Sequence, residues 1–321
     1  MTPYSTPGEI STAGGMAKLA PLVNASFSLA VGDNFYSSGI KTDVTDARFK
    51  NTFEDVFTGP SLQSPFEFFV IAGNHDHVIA GTHDHVIAGN HDHVIAGNHD
   101  HGGNVTAQIA YSGHSSRWNY PTSWYSFVKP IGSGGSAAAT LEIVMIDTVI
   151  LGGNSDIRDN ATGEVLTELP GSALPGAADA SLASAQMAWL EQTLRASTAT
   201  FLVVAGHYPV WSICEHGPTS QMVSDVKPLL EQYHVTAFIA GHDHCMESFV
   251  DSGVDYHGMG ASHNNDKSTV HKSKVPAGKR PAISVALQSL SHCGQADQRG
   301  VLGQGRGATG KQEGEAACRG G

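Results

Sequence analysis

The chain has 321 residues, of which 40% are hydrophobic, and a formal net charge of −12 with histidine counted as neutral. This length and composition suit one large α/β domain with a sizeable buried core. The acidic balance excludes nucleic acid and anionic membranes as main partners, because both require clustered Lys and Arg. The sequence holds no apolar run long enough to span a membrane, and its first residues lack the features of a signal peptide.

The predicted elements begin with a helix over residues 2–19 and a strand over residues 26–32. This strand leaves Asp33 and Tyr36 in the loop beyond its carboxyl end, where open α/β sheets place their ligands. A further helix starts after Asp46, which we predict to be its N-cap, and carries phenylalanines on one face.

Residues 70–101 consist of one octapeptide written four times, VIAGNHDH, VIAGTHDH, VIAGNHDH and VIAGNHDH. This period is too short for a solenoid, whose repeats need roughly 20 or more residues. Each copy joins a β-branched run to Gly and then to a cluster of His and Asp, a pattern typical of a buried strand that ends at a metal site. We predict that one copy occupies such a site and that the other three are additional.

Two copies compete for that site. The first follows the apolar run 66–72, whose three phenylalanines are each worth about 1.5–3 kcal/mol when buried. The fourth has the more suitable sequence after it, but it would place Asp92 and His93 in the buried strand, which costs free energy. We favour Asn74 of the first copy, followed by an extruded loop, because the cost of loop closure grows only logarithmically with length. Asn98 of the fourth copy is the alternative.

The second half of the chain alternates helices with strands, which favours an α/β architecture with a central sheet. The predicted strands are residues 141–146, 201–205 and 235–240, and the predicted helices are residues 182–194 and 222–233. Residues 152–178 are rich in Gly, Asp and Pro and are predicted to form a long surface loop. We expect one domain over residues 1–278 and a disordered, low-complexity tail over residues 279–321.

Four of the predicted strands end in the motifs GD, GN, GH and GHDH, which would deliver polar side chains to one edge of a sheet. A single Gly-His, such as that of His207, is more readily explained by a hydrogen-bonded buried histidine. Four such ends indicate a shared site, and their oxygen and imidazole ligands suit a pair of transition-metal ions rather than a closed structural zinc site. Two ions about 3.5–4 Å apart are suited to the hydrolysis of phosphoesters.

Five motifs in the chain resemble those of the purple acid phosphatases of the small, tartrate-resistant type, within the calcineurin-like metallophosphoesterase superfamily. They are GDNFY at 32–36, GNHDH at 73–77, VAGHYPVWS at 204–212, EHGPT at 215–219 and AGHDH at 240–244. The resemblance covers residues 1–278 and implies an αβ sandwich of central β-sheets flanked by helices. It also implies a metal-dependent acid phosphatase that hydrolyses phosphate monoesters by a metal-activated hydroxide.

Carried over by position, the resemblance implies a dinuclear centre of Fe(III) with Fe(II), Zn(II) or Mn(II). Asp33 would bridge the two ions, and Tyr36 and His244 would bind the ferric ion. The residues implied as ligands of the divalent ion are Asn74, or alternatively Asn98, together with His207 and His242. By residue type alone, Tyr36 could instead be a core aromatic side chain.

Two histidines would face the substrate, namely His75 and His216, with His99 in place of His75 if the fourth repeat is used. By residue type alone, His216 could also be a solvent-exposed side chain in a Gly-Pro loop. Cys214 and Cys245 each adjoin a site motif, so that they either form a disulfide near the metals or remain two free thiols.

The resemblance further implies a first strand with a GDWG-like motif, whose Asp binds the ferric ion, and additional strands after residue 278. The sequence shows neither, so we expect incomplete N- and C-terminal strands and a weakened ferric site. The alternative to an enzyme is a non-catalytic remnant whose His-Asp-His copies bind metal. Phosphoesterases that act on diesters or phosphoproteins are a third option, which the Tyr of GDNFY disfavours.

Secretion, or a lysosomal or vacuolar location, is implied by the resemblance, and we expect a monomer. Three sequons, at Asn24, Asn104 and Asn160, are compatible with a secreted glycoprotein.

Overall fold

A computed structural model of the chain describes residues 4–77, 103–131, 139–159, 165–262 and 264–275. These residues all belong to one compact unit, Met1–Ser284. The second to fourth repeats, including Asn98 and His99, lie outside the described residues, as does the predicted tail. Among the described residues, no helix has the length and apolar character that a membrane span requires.

The helices and strands follow the alternation that the sequence predicts. The helices are α1 (Pro7–Leu22), α2 (Val105–Tyr111), α3 (Thr148–Gly152), α4 (Ala180–Ala196) and α5 (Lys227–Gln232), with π-helical turns at Phe49–Glu54 and Met222–Val226 and 3-10 turns at Pro60–Leu62 and Gly171–Ala173. The strands are β1 (Phe27–Val31), β2 (Glu67–Ile71), β3 (Trp118–Asn119), β4 (Tyr125–Ile131), β5 (Ala139–Met145), β6 (Asp156–Arg158), β7 (Val165–Glu168), β8 (Phe201–Ala205), β9 (Ala237–Ala240), β10 (Met246–Asp251) and β11 (Val254–Met259).

The strands form two main sheets and a hairpin. One sheet has the order β1-β2-β3, and its strands are parallel. The larger sheet has the order β10-β11-β9-β8-β5-β4. Its four central strands are parallel, whereas β10 and β4 pair antiparallel at its two edges. The hairpin is formed by β6 and β7.

The six-stranded sheet is covered on both faces. Successive side chains of a strand point to opposite sides of the sheet, so neighbouring residues of β5 enter different cores. Ile143 and Met145 of β5 belong to a core that they share with β2 residues such as Phe69, so this face packs against the three-stranded sheet. Val144 belongs to a second core with Leu190 of α4, so the other face packs against helices. The architecture is the predicted αβ sandwich of central sheets flanked by helices.

Two predictions, one about the strands with polar ends and one about residues 152–178, are wrong in detail. The four strands with polar ends do not belong to one sheet, because β1 and β2 lie in the three-stranded sheet and β8 and β9 in the six-stranded sheet. Residues 152–178 are not only a surface loop, because they contain the β6–β7 hairpin and buried residues such as Ser155 and Asp156. Pairing of a strand with a distant partner is a tertiary property that local composition does not encode.

Side-chain caps begin two of the helical segments, and the cap at Asp46 was predicted from the sequence. The Asp46 side chain accepts a hydrogen bond from the backbone N–H of Arg48 at the start of the helical segment that includes the π-helical turn, as expected of an N-cap. Asn104, which belongs to a sequon, caps α2 by accepting from Ala107 N, and its amide nitrogen donates to Thr42 O. The side chain of this sequon is therefore already engaged in the fold.

Candidate metal centre

The carboxyl ends of β1, β2, β8 and β9 meet where the two main sheets approach each other, and glycines make this approach possible. A Cβ atom on Gly73 would lie 2.3 Å from Oδ1 of Asp33. Gly32 has φ of +96°, and a Cβ atom there would lie 2.4 Å from Nδ1 of His207. The glycines that precede Asp33 and Asn74 are thus required for polar side chains of different strands to converge.

Two of the converging residues have an unusual backbone conformation. Asp33 has φ of +53° and His242 has φ of +59°. Non-glycine residues adopt this left-handed region at a cost of about 1–3 kcal/mol, and such residues concentrate at functional sites. Each follows the glycine at the end of its strand, so the tight turn after the strand directs the side chain into the site.

Three side chains form a compact group of donor atoms. Oδ1 of Asn74 lies 2.7 Å from Nε2 of His207 and 3.1 Å from Nδ1 of His242. Oδ1 of Asp33 lies 3.3 Å from the same Nε2 of His207. Donor atoms that bind one ion at about 2.0–2.2 Å lie roughly 3 Å from one another, so these separations match a shared ion.

The partners on the far side of these groups fix their orientation. His207 Nδ1 lies 2.8 Å from the carbonyl oxygen of Val31, so Nδ1 donates to this oxygen and the ring presents Nε2 to Asn74. Asn74 donates from Nδ2 to Oδ1 of Asp156 at 2.6 Å, which turns its own Oδ1 toward the histidines. Hydrogen bonds of this kind orient metal ligands in proteins.

A second group of donor atoms lies on the other side of Asp33. The hydroxyl of Tyr36 lies 2.8 Å from Nε2 of His244 and donates to Oδ2 of Asp33 at 3.1 Å. The two oxygens of Asp33 therefore face different groups, Oδ1 toward His207 and Oδ2 toward Tyr36. A carboxylate placed in this way can bind two ions at once.

Burial and neighbouring charges set the ionisation of these residues. Burial alone would raise the pKa of Asp33, but the imidazoles of His207 and His75 hold it well below its usual range. Burial, with His216 and His207 nearby, lowers the pKa of His242 well below its ordinary value, and burial also lowers the pKa of His244. The anion of Asp33 and the neutral imidazoles of His242 and His244 are forms that bind metal ions. Burial would lower the pKa of His207, but the neighbouring Asp33 raises it, so a metal ion would displace a proton there.

The two histidines predicted to face the substrate lie beside this centre. His75 is hydrogen-bonded through Nδ1 to Ser37 O at 2.6 Å, and its Nε2 lies 3.2 Å from Oε1 of Glu168. His216 Nε2 lies 3.8 Å from the other oxygen of Glu168, and its ring lies 4.3 Å from that of His242. Burial would lower the pKa of His75, but the carboxylates of Asp33 and Glu168 raise it to about 10.

Two carboxylates of the β6–β7 hairpin are also in the site, and the sequence did not indicate them. Asp156 accepts from Asn74 and contacts Arg158, while Glu168 lies between His75 and His216. Asp156 pairs with Glu168 across the hairpin, so both side chains point the same way. A β-turn signal within residues 156–168 was the feature that could have revealed the hairpin.

Cys214 and Cys245 form a disulfide, so of the two alternatives that the sequence left open the free thiols are excluded. Both cysteines are buried. Each stands next to a site segment, one beside the loop of His216 and the other directly after His244. The disulfide therefore joins two segments that carry site residues.

The structure brings together all the predicted ligands that it describes. These are Asp33, Tyr36, Asn74, His207, His242 and His244. Their donor set of carboxylate, phenol and amide oxygens with imidazole nitrogens suits transition-metal ions, and its division into two groups that share Asp33 suits a pair of ions. The residues present therefore fit a dinuclear centre.

Comparison with known proteins agrees with this chemistry. The sequence model of the calcineurin-like phosphoesterases matches residues 15–246, and the chain belongs to this family. Within it, the chain is similar to tartrate-resistant acid phosphatase type 5 of Homo sapiens, with 40% identity over 277 residues that cover 86% of this chain and 73% of that protein. Purple acid phosphatase 17 of Arabidopsis thaliana is 27% identical over 241 residues, or 74% of this chain and 57% of that protein.

A solved structure described as GAP50, the anchor in the inner membrane complex of Plasmodium, shares the fold. Its TM-score is 0.59 at 20% sequence identity, over 80% of this chain and 68% of that chain. The purple acid phosphatases are dinuclear metallophosphatases that hydrolyse phosphate monoesters, and the predictions of fold, family and hydrolytic class are confirmed by these relationships.

Proposed function

We propose that this chain is an acid phosphatase that hydrolyses phosphate monoesters at a centre of Fe(III) with Fe(II), Zn(II) or Mn(II). The observation that carries the proposal is the position of Asp33, whose two carboxylate oxygens face two different groups of ligands. The group of Asn74, His207 and His242 would hold the divalent ion. Tyr36 and His244 would hold the ferric ion, because a phenolate is an anionic oxygen ligand that favours the more highly charged metal.

When bound, two such ions supply Lewis acidity to the phosphoryl group and lower the pKa of water, which makes a nucleophile available. The protein itself contributes the position and the protonation of the groups around the phosphate. Nε2 of His75 and Nε2 of His216 both face the space beside the proposed metal ligands. In this structure the carboxylate of Glu168 lies in that space. These histidines would hold phosphoryl oxygens and supply a proton to the leaving alcohol oxygen.

We further propose that the protein functions as a monomer in an oxidising compartment, such as the secretory pathway or lysosome. The Cys214–Cys245 disulfide supports this location, because disulfides persist mainly outside the reducing cytosol. A net charge of −12 argues against a nucleic-acid partner, which would require clustered Lys and Arg.

The test is hydrolysis of p-nitrophenyl phosphate, measured together with the metal content of the same preparation. We expect hydrolysis that a chelator abolishes and that iron with zinc restores, and slower hydrolysis of the diester bis(p-nitrophenyl) phosphate. His207→Ala should lower kcat/KM by at least about 100-fold with loss of metal, because losing even a ligand's orienting partner costs 10–100-fold. The matched control is His257→Ala on β11, whose partner Ile239 lies inside β9 rather than at its polar end.

The outcomes separate the three functions considered from the sequence. Bound metal without hydrolysis of either compound would support the non-catalytic alternative. Faster hydrolysis of the diester would support a phosphodiesterase. Hydrolysis of the monoester that survives complete removal of metal would contradict the proposal.

A further inference from the structure

In the segment His242–Cys245, which follows β9, alternate side chains face two different parts of the molecule. His242 and His244 point toward the two groups of ligands. Asp243 and Cys245 point the other way, to the loop formed by residues 214–217, which carries His216. One tetrapeptide thus connects the metal centre with the loop of a histidine that the proposed function places at the substrate.

Asp243 holds this loop through its backbone. Its Oδ1 accepts a hydrogen bond from the backbone N–H of His216 at 2.7 Å, and its Oδ2 accepts from the N–H of Gly217 at 3.1 Å. Successive backbone N–H groups arranged around one anion form a strong binding concavity. Asp243 is only 1% exposed, so these hydrogen bonds to a charged acceptor form away from competing water.

Other contacts fix the same loop less directly. The carbonyl oxygen of His216 accepts from Gly171 N at 2.9 Å, and the carbonyl oxygen of Cys214 lies 2.7 Å from Nδ1 of His271. These contacts involve carbonyl groups of the loop, whereas the amide N–H groups of His216 and Gly217 donate to Asp243. Loss of the Asp243 carboxylate would leave two buried N–H groups without their acceptor, which the loop can relieve only by moving.

Both oxygens of Asp243 face these amide groups, on the side of the chain away from the ligands His242 and His244. An effect of Asp243 on the reaction would therefore pass through the loop that carries His216. A displacement of about 1 Å at a group that positions substrate can cost on the order of 100-fold in rate. The ring of His216 packs 4.3 Å from that of His242, so movement of the loop would shift it relative to the metal centre.

We infer that Asp243 is a positioning residue, which sets the place of His216 at the substrate by binding the backbone amides of His216 and Gly217. This inference rests on the proposed function, since it requires a phosphate group beside His216. Asp243 lies between two of the proposed metal ligands, His242 and His244, and is not itself one of them.

The experiment is a double-mutant cycle of Asp243→Asn and His216→Ala in the metal-loaded protein, with metal content measured for every variant. Asparagine keeps the size of the side chain but can offer only one acceptor oxygen to the two amides. We expect Asp243→Asn to lower kcat/KM for p-nitrophenyl phosphate by about tenfold or more, with unchanged metal content. In the His216→Ala background the same change should have less than about a twofold effect.

Binding of inorganic phosphate, measured by calorimetry, provides a readout that does not depend on turnover. Its dissociation constant should rise in Asp243→Asn and in His216→Ala, and the two increases should not multiply in the double variant. If the wild-type protein binds phosphate but hydrolyses nothing, the proposed function fails, and the phosphate cycle still decides the role of Asp243.

Independent, multiplicative losses in the cycle would overturn the inference, as would loss of metal in Asp243→Asn. If Asp243→Asn does not fold, Asp243→Glu replaces it, since it keeps the charge and displaces the acceptor by one methylene. The expected result is then a loss in kcat/KM that disappears in the His216→Ala background, and a persistent loss there would contradict the inference.

Discussion

The hydroxyl of Tyr36 lies 2.8 Å from Nε2 of His244, and the same hydroxyl donates to Oδ2 of Asp33 at 3.1 Å. Three donor atoms from the ends of β1 and β9 are thus close enough to share one ion. If that ion is ferric, the phenolate of Tyr36 should give the protein a charge-transfer band in the visible. We predict that Tyr36→Phe removes this band from the iron-loaded protein.

The control for this prediction is Tyr233→Phe, which alters a tyrosine that contacts Glu191 and Arg195 instead of the metal centre. Its visible spectrum should equal that of the wild type. An unchanged spectrum in Tyr36→Phe at equal iron content would exclude Tyr36 as the iron ligand.

The described residues on either side of the extra octapeptides lie close together. Gly103 N donates to the carbonyl oxygen of His77 at 3.4 Å, so the two described ends of the insertion are in direct contact. We predict that deleting residues 78–101 and joining His77 to Gly102 leaves metal binding intact or improved, because the loop to be closed becomes shorter. Metal content and the melting temperature of the deleted protein measure this.

A deletion of residues 94–101 alone, which removes one repeat, is the matched control and should behave like the wild type. Loss of metal in the longer deletion, with the shorter deletion unaffected, would mean that the fold depends on the additional repeats.

The carboxylate of Glu168 lies between His75 and His216, where a phosphate dianion would approach. A fixed negative charge at this place repels an anionic substrate. We predict that Glu168→Gln lowers KM for p-nitrophenyl phosphate by roughly tenfold, or about 1.4 kcal/mol. Glu142→Gln, on β5 beside Ser197, is the control and should leave KM unchanged. A rise in KM for Glu168→Gln would show that the carboxylate assists binding instead.

Glu247 on β10 should make the fold less stable as the pH rises toward neutrality. Burial raises its pKa from 4.5 to about 7, although hydrogen bonds from Ser212 and from Ile213 N oppose this increase. Between pH 4.5 and 7 the native state therefore binds a proton that the unfolded chain has released, so the free energy of unfolding falls as pH rises through this window.

We predict that Glu247→Gln removes this contribution, which is on the order of 3 kcal/mol for a shift of this size. Urea denaturation between pH 4 and pH 8 measures it as the difference between the two proteins, so other titrating groups cancel. A difference that does not change with pH would show that Glu247 does not titrate in this window.

The ends of β1, β2, β8 and β9 could be predicted from the sequence, because each combines an apolar run with a glycine and a polar residue. The side chains of Phe66, Phe68 and Phe69 lie in the core, as the preference for the first repeat assumes, while the fourth repeat lies outside the described residues. The structure places Asn74 of this repeat between His207 and His242. Strand ends and apolar runs are local features, so they can be recognised from the order of residues alone.

Other features could not be predicted because their cause lies in distant parts of the chain. Strand β10 was missed because its buried positions include Glu247 and Asp251, and their partners Ile213 and Trp211 belong to an earlier loop. The hairpin was missed because a Gly- and Pro-rich composition does not reveal that two of its carboxylates reach Asn74 and His75. The role of Asp243 was missed for the same reason, since its partners are backbone amides.

We propose that six side chains form two adjoining metal sites bridged by Asp33, and anomalous X-ray diffraction from crystals of the metal-loaded protein would locate both ions. We predict two anomalous peaks about 3.5–4 Å apart with Asp33 between them. One should lie within ligand distance of Asn74, His207 and His242, and the other within ligand distance of Tyr36 and His244. A single peak, or peaks that do not contact Asp33, would contradict the claim.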